Sequence, residues 1–576
     1  MNNKIFGNSA IRQFGNSLSR SLTLACALFF SLSAALTVSA DTYEWNGGTS
    51  GTWNVTNVEN WLVGESSPTY APGISGTTGD ADVVISSGSV TIDILSFQVN
   101  TLTVGENATF IVPSGNRSGF TTGLTNNGLM RYIGPGFRNL AISTSQVASF
   151  QMTNSGTVSI EAGNLQFSVN LINTDTGLVE VLSGVTLDLR GASGFTNGVL
   201  RIDSGAKVWA ENVGGTVILA NVVTDNAGYW EWFSNGMNDR NRTLTVSGGV
   251  FTNSGTLILR QDTSATNFTR SPLDLNVNNS GTFVNDGVIA IENTAAGSSG
   301  TFTPNGNISA QLTVANNAAE FTNNGLITIH NNATVDNTSN YTKQAALTVA
   351  NGEIFTNTGT IIISLGADVT DDAQHYAALT VSTDWTNNGT IIIAGANKTT
   401  AKASLDLGDH HYTAGAGSVT VLVNDAQLKA AAVTISGGTF DGAGKILAAT
   451  TVSGGGVLDP DGTLTLSSLT LDDGGILNFS IADNDLLDIT GDLTLSGATL
   501  NLTDSALTEG AHLLANYGGI LTGDALTVSG LADYNYALDF ATDKQIFLNI
   551  TSIPEPAAWA LLLAGAALLA ARRRRR

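Results

Sequence analysis

An Asn-x-Gly turn followed by a β-branched run recurs along the middle of this 576-residue chain, and few folds accommodate such a pattern. It appears as Thr153-Asn154-Ser155-Gly156-Thr157-Val158-Ser159-Ile160 and again as Phe251-Thr252-Asn253-Ser254-Gly255-Thr256-Leu257-Ile258. Further copies centre on Asn126-Asn127-Gly128, Asn279-Ser280-Gly281, Asn323-Asn324-Gly325, Asn357-Thr358-Gly359 and Asn387-Asn388-Gly389. Neighbouring motif glycines lie about 21 to 38 residues apart, the range of solenoid units. Many units add an upstream strand, such as Leu312-Thr313-Val314, Leu347-Thr348-Val349 or Leu379-Thr380-Val381. Each unit therefore reads as strand, turn, strand.

Turn chemistry accounts for the motif residues. Asn and Gly tolerate left-handed backbone angles, so Asn-x-Gly is expected to bend the chain sharply between two extended runs. Asparagines repeating one rung above another would also hydrogen-bond along the stack as amide ladders. No helical period competes with the alternation of Thr, Val and Ile. An array of β-sandwiches would show similar strands, but the spacing varies gradually and no compact ~100-residue unit repeats. The expected fold is all-β, a right-handed parallel β-helix or β-solenoid. With rungs of ~21 to 32 residues at ~4.8 Å each, it would form a rod on the order of 80 to 115 Å long.

The chain ends point to export. Lys4, Arg12 and Arg20 form a basic n-region, Ser21 to Leu36 is apolar, and Val38-Ser39-Ala40 precedes Asp41, the pattern of a secretory signal peptide cleaved between Ala40 and Asp41. Cys26, the only cysteine, lies inside that signal, so the mature chain has no thiol for disulfides, metal sites or nucleophiles. At the other end, Ile553-Pro554-Glu555-Pro556 leads into the apolar run Ala557 to Ala571 and then Arg572, Arg573, Arg574, Arg575 and Arg576. The prolines favour an extended segment, and the Ala/Leu run favours a single transmembrane helix. At ~1.5 Å per residue its 15 residues reach about 22 Å, short of a ~30 Å hydrocarbon core, so thinning or snorkelled flanks are needed. The arginines would hold that end in the cytoplasm.

Residues 553–576 resemble the PEP-CTERM sorting signal of Gram-negative bacteria, matching its three parts in order. The resemblance implies export through the Sec machinery and transient residence in the inner membrane. It further implies cleavage near Pro554-Glu555-Pro556 by an exosortase, a membrane-embedded transpeptidase, and delivery to the envelope or extracellular matrix. An ordinary C-terminal membrane anchor is the alternative.

Charge narrows the partners. Residues 1–40 carry three cations, residues 557–576 carry five, and neither segment holds an acid. The 516 residues between keep 16 Lys and Arg against 47 Asp and Glu, a net charge of −31 rather than the −23 of the whole chain. A phosphate-binding surface is not expected on such a chain, so nucleic acid is a poor partner; divalent cations or neutral glycans fit better.

Five regions follow: the signal peptide (1–40), a Trp-rich N-terminal cap or first rungs (41–112), the Asn-x-Gly solenoid (113–400), Leu-Thr-Leu repeats (401–552) and the sorting tail (553–576). Trp45-Asn46-Gly47-Gly48, Trp53-Asn54 and Asn60-Trp61 are spaced as at the start of many autotransporter-associated β-strand repeat proteins. Thr463-Leu464-Thr465-Leu466 and Leu493-Thr494-Leu495 likewise resemble autotransporter passenger repeats. The tryptophans would cap the open end of a solenoid or stack on a glycan. No outer-membrane barrel of alternating strands follows the repeats, so self-translocation is not supported.

Candidate sites are few. Tyr229-Trp230-Glu231-Trp232-Phe233 is the most aromatic stretch of the repeats. As a strand it puts Trp230 and Trp232 on one face and Tyr229, Glu231 and Phe233 on the other; exposed tryptophans beside Glu231, Asn235 and Asn238 would stack on a glycan, or else the stretch plugs the coil. Asp459, Asp461, Asp483 and Asp485 gather carboxylates in loops suited to a structural Ca²⁺, without an EF-hand pattern or nonapeptide repeat. Asp409-His410-His411 and His375 lack the spacing of a metal site, and Gly442-Ala443-Gly444-Lys445 lacks the frame of a phosphate loop. No carboxylate pair is marked as catalytic. The reading is a non-enzymatic, exported, exosortase-sorted surface or matrix protein with a structural or adhesive role in envelope, biofilm or exopolysaccharide. The alternative is a carbohydrate-binding module or a polysaccharide-degrading β-helix enzyme.

Overall fold

A computed structural model describes residues 41–574 apart from short internal stretches, the longest being 140–150, 263–272 and 297–307. The signal segment with Ala40, Pro554 and Glu555 of the sorting motif, Arg575, Arg576, Asn235 and Asn238 lie outside the described residues.

The chain coils into a parallel β-solenoid with three strands in each central turn. One coil consists of Arg242–Ser247, Val250–Asn253 and Thr256–Gln261. Each of these pairs in parallel with its counterpart one coil on: Leu273–Asn278, Thr282–Asn285 and Val288–Asn293. Parallel pairing requires a long crossover, and here the rest of the coil supplies it. Repetition builds three sheets along the axis, called first, second and third in the order in which a coil visits them. Inward positions carry Leu, Val, Ile and Phe, and outward positions carry Thr, Asn and charged residues, the period-2 pattern of strands with one buried face.

The Asn ladder expected from the motif is present. Asn126 donates to Asn154, and Asn154 to Asn173, at 2.7 and 2.8 Å. A second ladder climbs through Asn226, Asn253, Asn285, Asn323, Asn357 and Asn387, with every Nδ2 to Oδ1 step at 2.7–2.8 Å. The two ladders occupy different corners. Asn154 ends a first-sheet strand, whereas Asn253 ends a second-sheet strand, so the same Thr-Asn-Ser-Gly sequence turns the chain at two places in the cross-section. Buried amides are tolerated because each step satisfies both partners. The Oδ1 atoms of Asn126 and Asn226, at the start of each ladder, have no donor among the described residues.

The backbone reason given for the motif needs correction. None of the ladder asparagines or motif glycines has a positive φ. The glycines are required by proximity instead: a Cβ on Gly156, Gly255, Gly287, Gly325, Gly359 or Gly389 would lie 2.0–2.2 Å from a glycine carbonyl oxygen one coil below. Left-handed angles do occur after later first-sheet strands, on Asn197, Asn221 and Asn279, so the expectation holds at the Asn279-Ser280-Gly281 copy.

Aromatic residues form the core's spine. Phe251, Phe283, Phe321, Phe355, Trp385 and Tyr412 follow one another up the second sheet with centroids 4.7 to 5.8 Å apart. The Trp385 indole donates to the Phe355 carbonyl at 3.1 Å. Pairing continues past residue 400, where longer strands such as Gln427–Ser436 and Lys445–Ser453 cross a corner at a register shift. Outside, Thr386, Thr413, Thr434, Thr451, Thr470, Thr494 and Thr522 stand in register along the upper part of the second sheet, a polar, uncharged row, whereas Arg131, Glu180, Arg201 and Asp225 occupy the same row lower down.

Both ends of the stack are closed by antiparallel pairing. Thr42–Trp45 runs against Trp61–Val63. There the buried rings of Trp45, Trp53 and Trp61 meet edge to face at 5.1 and 4.9 Å. At the far end Gln545–Ser552 runs against both Gly510–Tyr517 and Tyr534–Asp539. A helix then spans Pro556–Arg573, with proline at its first position. Its leucines are uncovered, Leu562, Leu563, Leu568 and Leu569 being 68–72% exposed. The expectation of a transmembrane helix is not met at this level: among the described residues no helix is long and apolar enough to cross a membrane. Its 18 residues reach only ~27 Å and include Arg572 and Arg573.

Candidate functional site

The aromatic stretch 229–233 lies on the third-sheet strand Tyr229–Ser234. Trp230 and Trp232 point inward and are 0% and 3% exposed. Trp230 packs on Phe251 with centroids 5.3 Å apart, at the foot of the aromatic spine. The glycan-contact assignment for these two residues is therefore corrected: they are core, and their ring faces are not presented to a ligand. Alternation turns Tyr229, Glu231 and Phe233 outward instead.

Those outward residues belong to a larger cluster. Lys207–Ala210 lies one coil below, with Lys207 beside Tyr229 and Trp209 beside Glu231; Thr256–Gln261 and Val288–Asn293 lie above. The Lys207 ammonium sits 4.0 Å over the Trp209 ring and 5.1 Å from that of Tyr229. Glu231 lies 3.7 Å from Lys207 and 3.3 Å from Arg260, and the Arg260 guanidinium donates to Glu292 at 2.8 Å. Burial, then the Glu231 charge, pushes the Tyr229 hydroxyl up to about 12, so it stays protonated as a donor. Two cations and two carboxylates are thus interlocked beside half-buried aromatic rings on four successive coils. The sequence reading placed Glu231 but missed Trp209 and Lys207, although Lys207-Val208-Trp209 shows the same alternation 22 residues before Tyr229.

In the acidic loops, several carboxylate oxygens accept hydrogen bonds within the fold. Asp485 accepts from the backbone N–H of Gly462 at 3.0 Å and of Ser480 at 2.6 Å. Asp483 accepts from the Ser480 hydroxyl at 2.7 Å, and Asp459 from Asn478 at 3.1 Å. Burial, then the charges of Asp459 and Asp461, raises the neighbouring Asp441 above the usual carboxylate range. Among the described residues no group of three His, Cys, Asp or Glu is placed to hold a metal ion. His375 is fully buried on the first sheet, while His410 and His411 open a second-sheet strand beside Asp384.

No protein-family model matches the chain, and no curated protein matches it.

Proposed function

We propose that this protein is an exported, exosortase-sorted structural or adhesive rod of the cell envelope, biofilm or exopolysaccharide matrix, and not an enzyme. The observation that carries the reading is the three-part tail: a Pro-Glu-Pro segment, an apolar helix whose leucines are uncovered, and a terminal arginine run. On this reading Sec machinery exports the chain and the signal peptide is removed between Ala40 and Asp41. The short helix engages the inner membrane with snorkelled arginines and a thinned bilayer, and an exosortase cuts near Pro554-Glu555-Pro556. The solenoid, its coils taking the right hand that parallel crossovers nearly always take, then serves as an extended spacer.

The test is sorting in the native cell. Glu555→Ala, or replacement of the five arginines by serine, is expected to leave uncleaved protein in the inner-membrane fraction. Unchanged cleavage and localisation of both variants would overturn the reading.

A further inference from the structure

Eight Asn-Gly pairs occur in the chain, and six lie among the described residues: Asn46-Gly47, Asn127-Gly128, Asn197-Gly198, Asn324-Gly325, Asn351-Gly352 and Asn388-Gly389. Such a pair can close on itself, because glycine has no Cβ to hinder the approach of its nitrogen to the asparagine side chain. Exposure of the asparagine does not separate the six, since Asn46, Asn324, Asn351 and Asn388 are all exposed. The surroundings of the glycine do. A Cβ on Gly128, Gly198, Gly325 or Gly389 would lie 2.1–2.4 Å from a backbone oxygen of the coil below, and one on Gly47 would lie 2.3 Å from the Trp45 ring. The Gly325 N–H also donates to the Asn285 carbonyl at 2.9 Å, and that of Gly389 to Asn387 Oδ1 at 3.2 Å. A Cβ on Gly352 would meet nothing within 4 Å, and the Gly352 N–H makes no hydrogen bond among the described residues.

Asn351 and Gly352 form the tip of the turn between Lys343–Val349 of the first sheet and Ile354–Asn357 of the second. The Glu353 N–H closes that turn on the Ala350 carbonyl at 3.3 Å, and Gly352 takes a φ of +85 at the third position, where glycine is favoured. On either side the coil is tied down: Ala350 donates to the Val314 carbonyl at 2.9 Å and Ile354 to the Ala319 carbonyl at 3.1 Å. The two-residue tip can therefore turn while the coil beneath it stays paired.

We infer that Asn351 is a self-modification site of the folded rod, deamidating through a succinimide while the other five pairs are held back by their packing. The Gly352 nitrogen attacks Asn351 Cγ and forms the new N–C bond. The proton of that nitrogen and the side-chain amide leave together as ammonia. Water then opens the five-membered imide, giving aspartate when the Cγ carbonyl is attacked and isoaspartate when the main-chain carbonyl is attacked. Water is the sole co-reactant, and nothing is oxidised or reduced. Ring closure requires rotation about the Asn351 ψ until the nitrogen faces Cγ. The open tip allows that rotation, and a glycine wedged against the next coil or an indole ring forbids it. Each event places a carboxylate on the outside of the rod, and the isoaspartyl route also lengthens the backbone of the tip by one methylene. The inference does not depend on how the protein is sorted.

Peptide mapping of the mature protein, purified from its native cell and incubated at neutral pH, reads the six sites side by side. Position 351 should gain about 1 Da in both aspartyl and isoaspartyl forms. It should do so at least about tenfold faster than any of the other five pairs in the folded protein. In about 8 M urea, where coils no longer wedge the glycines, the six rates should agree within about threefold. Gly352→Ala should slow the reaction about tenfold in both conditions, since a methyl group then hinders the attacking nitrogen. An unmodified position 351, an equal rate at any of the other five pairs in the folded protein, aspartate without isoaspartate, or the same spread of rates in urea would each overturn the inference.

Discussion

At the scale of single residues, the fold depends on what the motif asparagine and glycine do. Asn285 accepts from Asn253 and donates to Asn323 and to the Leu326 carbonyl. Asn285→Ala would leave buried groups unpaired on both neighbouring coils, and we expect a loss of about 2–4 kcal/mol in urea unfolding. Gly325→Ala would drive a Cβ to 2.1 Å from the Gly287 oxygen, with an expected cost of about 3 kcal/mol or more. Gly352→Ala, at φ +85 in open space, should cost only about 1 kcal/mol through backbone strain; equal costs for the two would refute the stacking argument. Asp274 provides a pH test. Burial raises its carboxyl from 3.8 to about 6, and its in-register neighbours Thr243 and Gln311 carry no charge. A raised acid favours the folded state when protonated, so its penalty appears as pH rises from about 4 to about 6 and persists above. Asp274→Asn should therefore raise the urea midpoint at pH 7.5 and leave it unchanged at about pH 4. The amide ladder was legible in the sequence because Asn repeats at rung spacing. The need for glycine was misread because close approach between coils has no local signature, whereas a positive φ would have looked the same.

Among elements, a coil contacts only the coils above and below it, so damage should stay local. Phe321 lies between Phe283 and Phe355 in the aromatic spine. Phe321→Ala is expected to cost about 3–5 kcal/mol, and hydrogen exchange should lose protection in the strands Thr282–Asn285, Glu320–Asn323 and Ile354–Asn357. Retained protection near Trp53 and Leu548, at the two ends, separates this from global unfolding. Strands and turns were readable from alternation and from Asn-x-Gly, but which face of Tyr229–Ser234 met the core was not. Both faces of that strand carry aromatic side chains, so hydrophobicity alone could not orient it. Packing of Trp230 against Phe251 decides the matter. The cluster of Lys207, Glu231, Arg260 and Glu292 stayed hidden for a related reason: Trp209 and Glu231 are 22 residues apart in sequence and become neighbours only through coil register. The change of corner between the two Asn ladders was equally invisible, because the same tetrapeptide serves both corners.

For the whole molecule, the stack of roughly 19 rungs along the second sheet extends on the order of 90 Å, within the range expected from repeat length. Antiparallel pairing at both ends and a net charge of −31 over residues 41–556 work against edge-to-edge association. The all-β solenoid class was available from repetition, while the export reading rests on the two termini alone. The tail's behaviour in a membrane was not, since a run of 15 apolar residues sits between an anchor and a transient signal. Intact mass and fractionation of the protein from its native cell decide between them. A species that begins near Asp41, lacks Arg572 to Arg576 and lies outside the inner membrane is the result this account predicts; retention of the arginine tail in the inner-membrane fraction would contradict it.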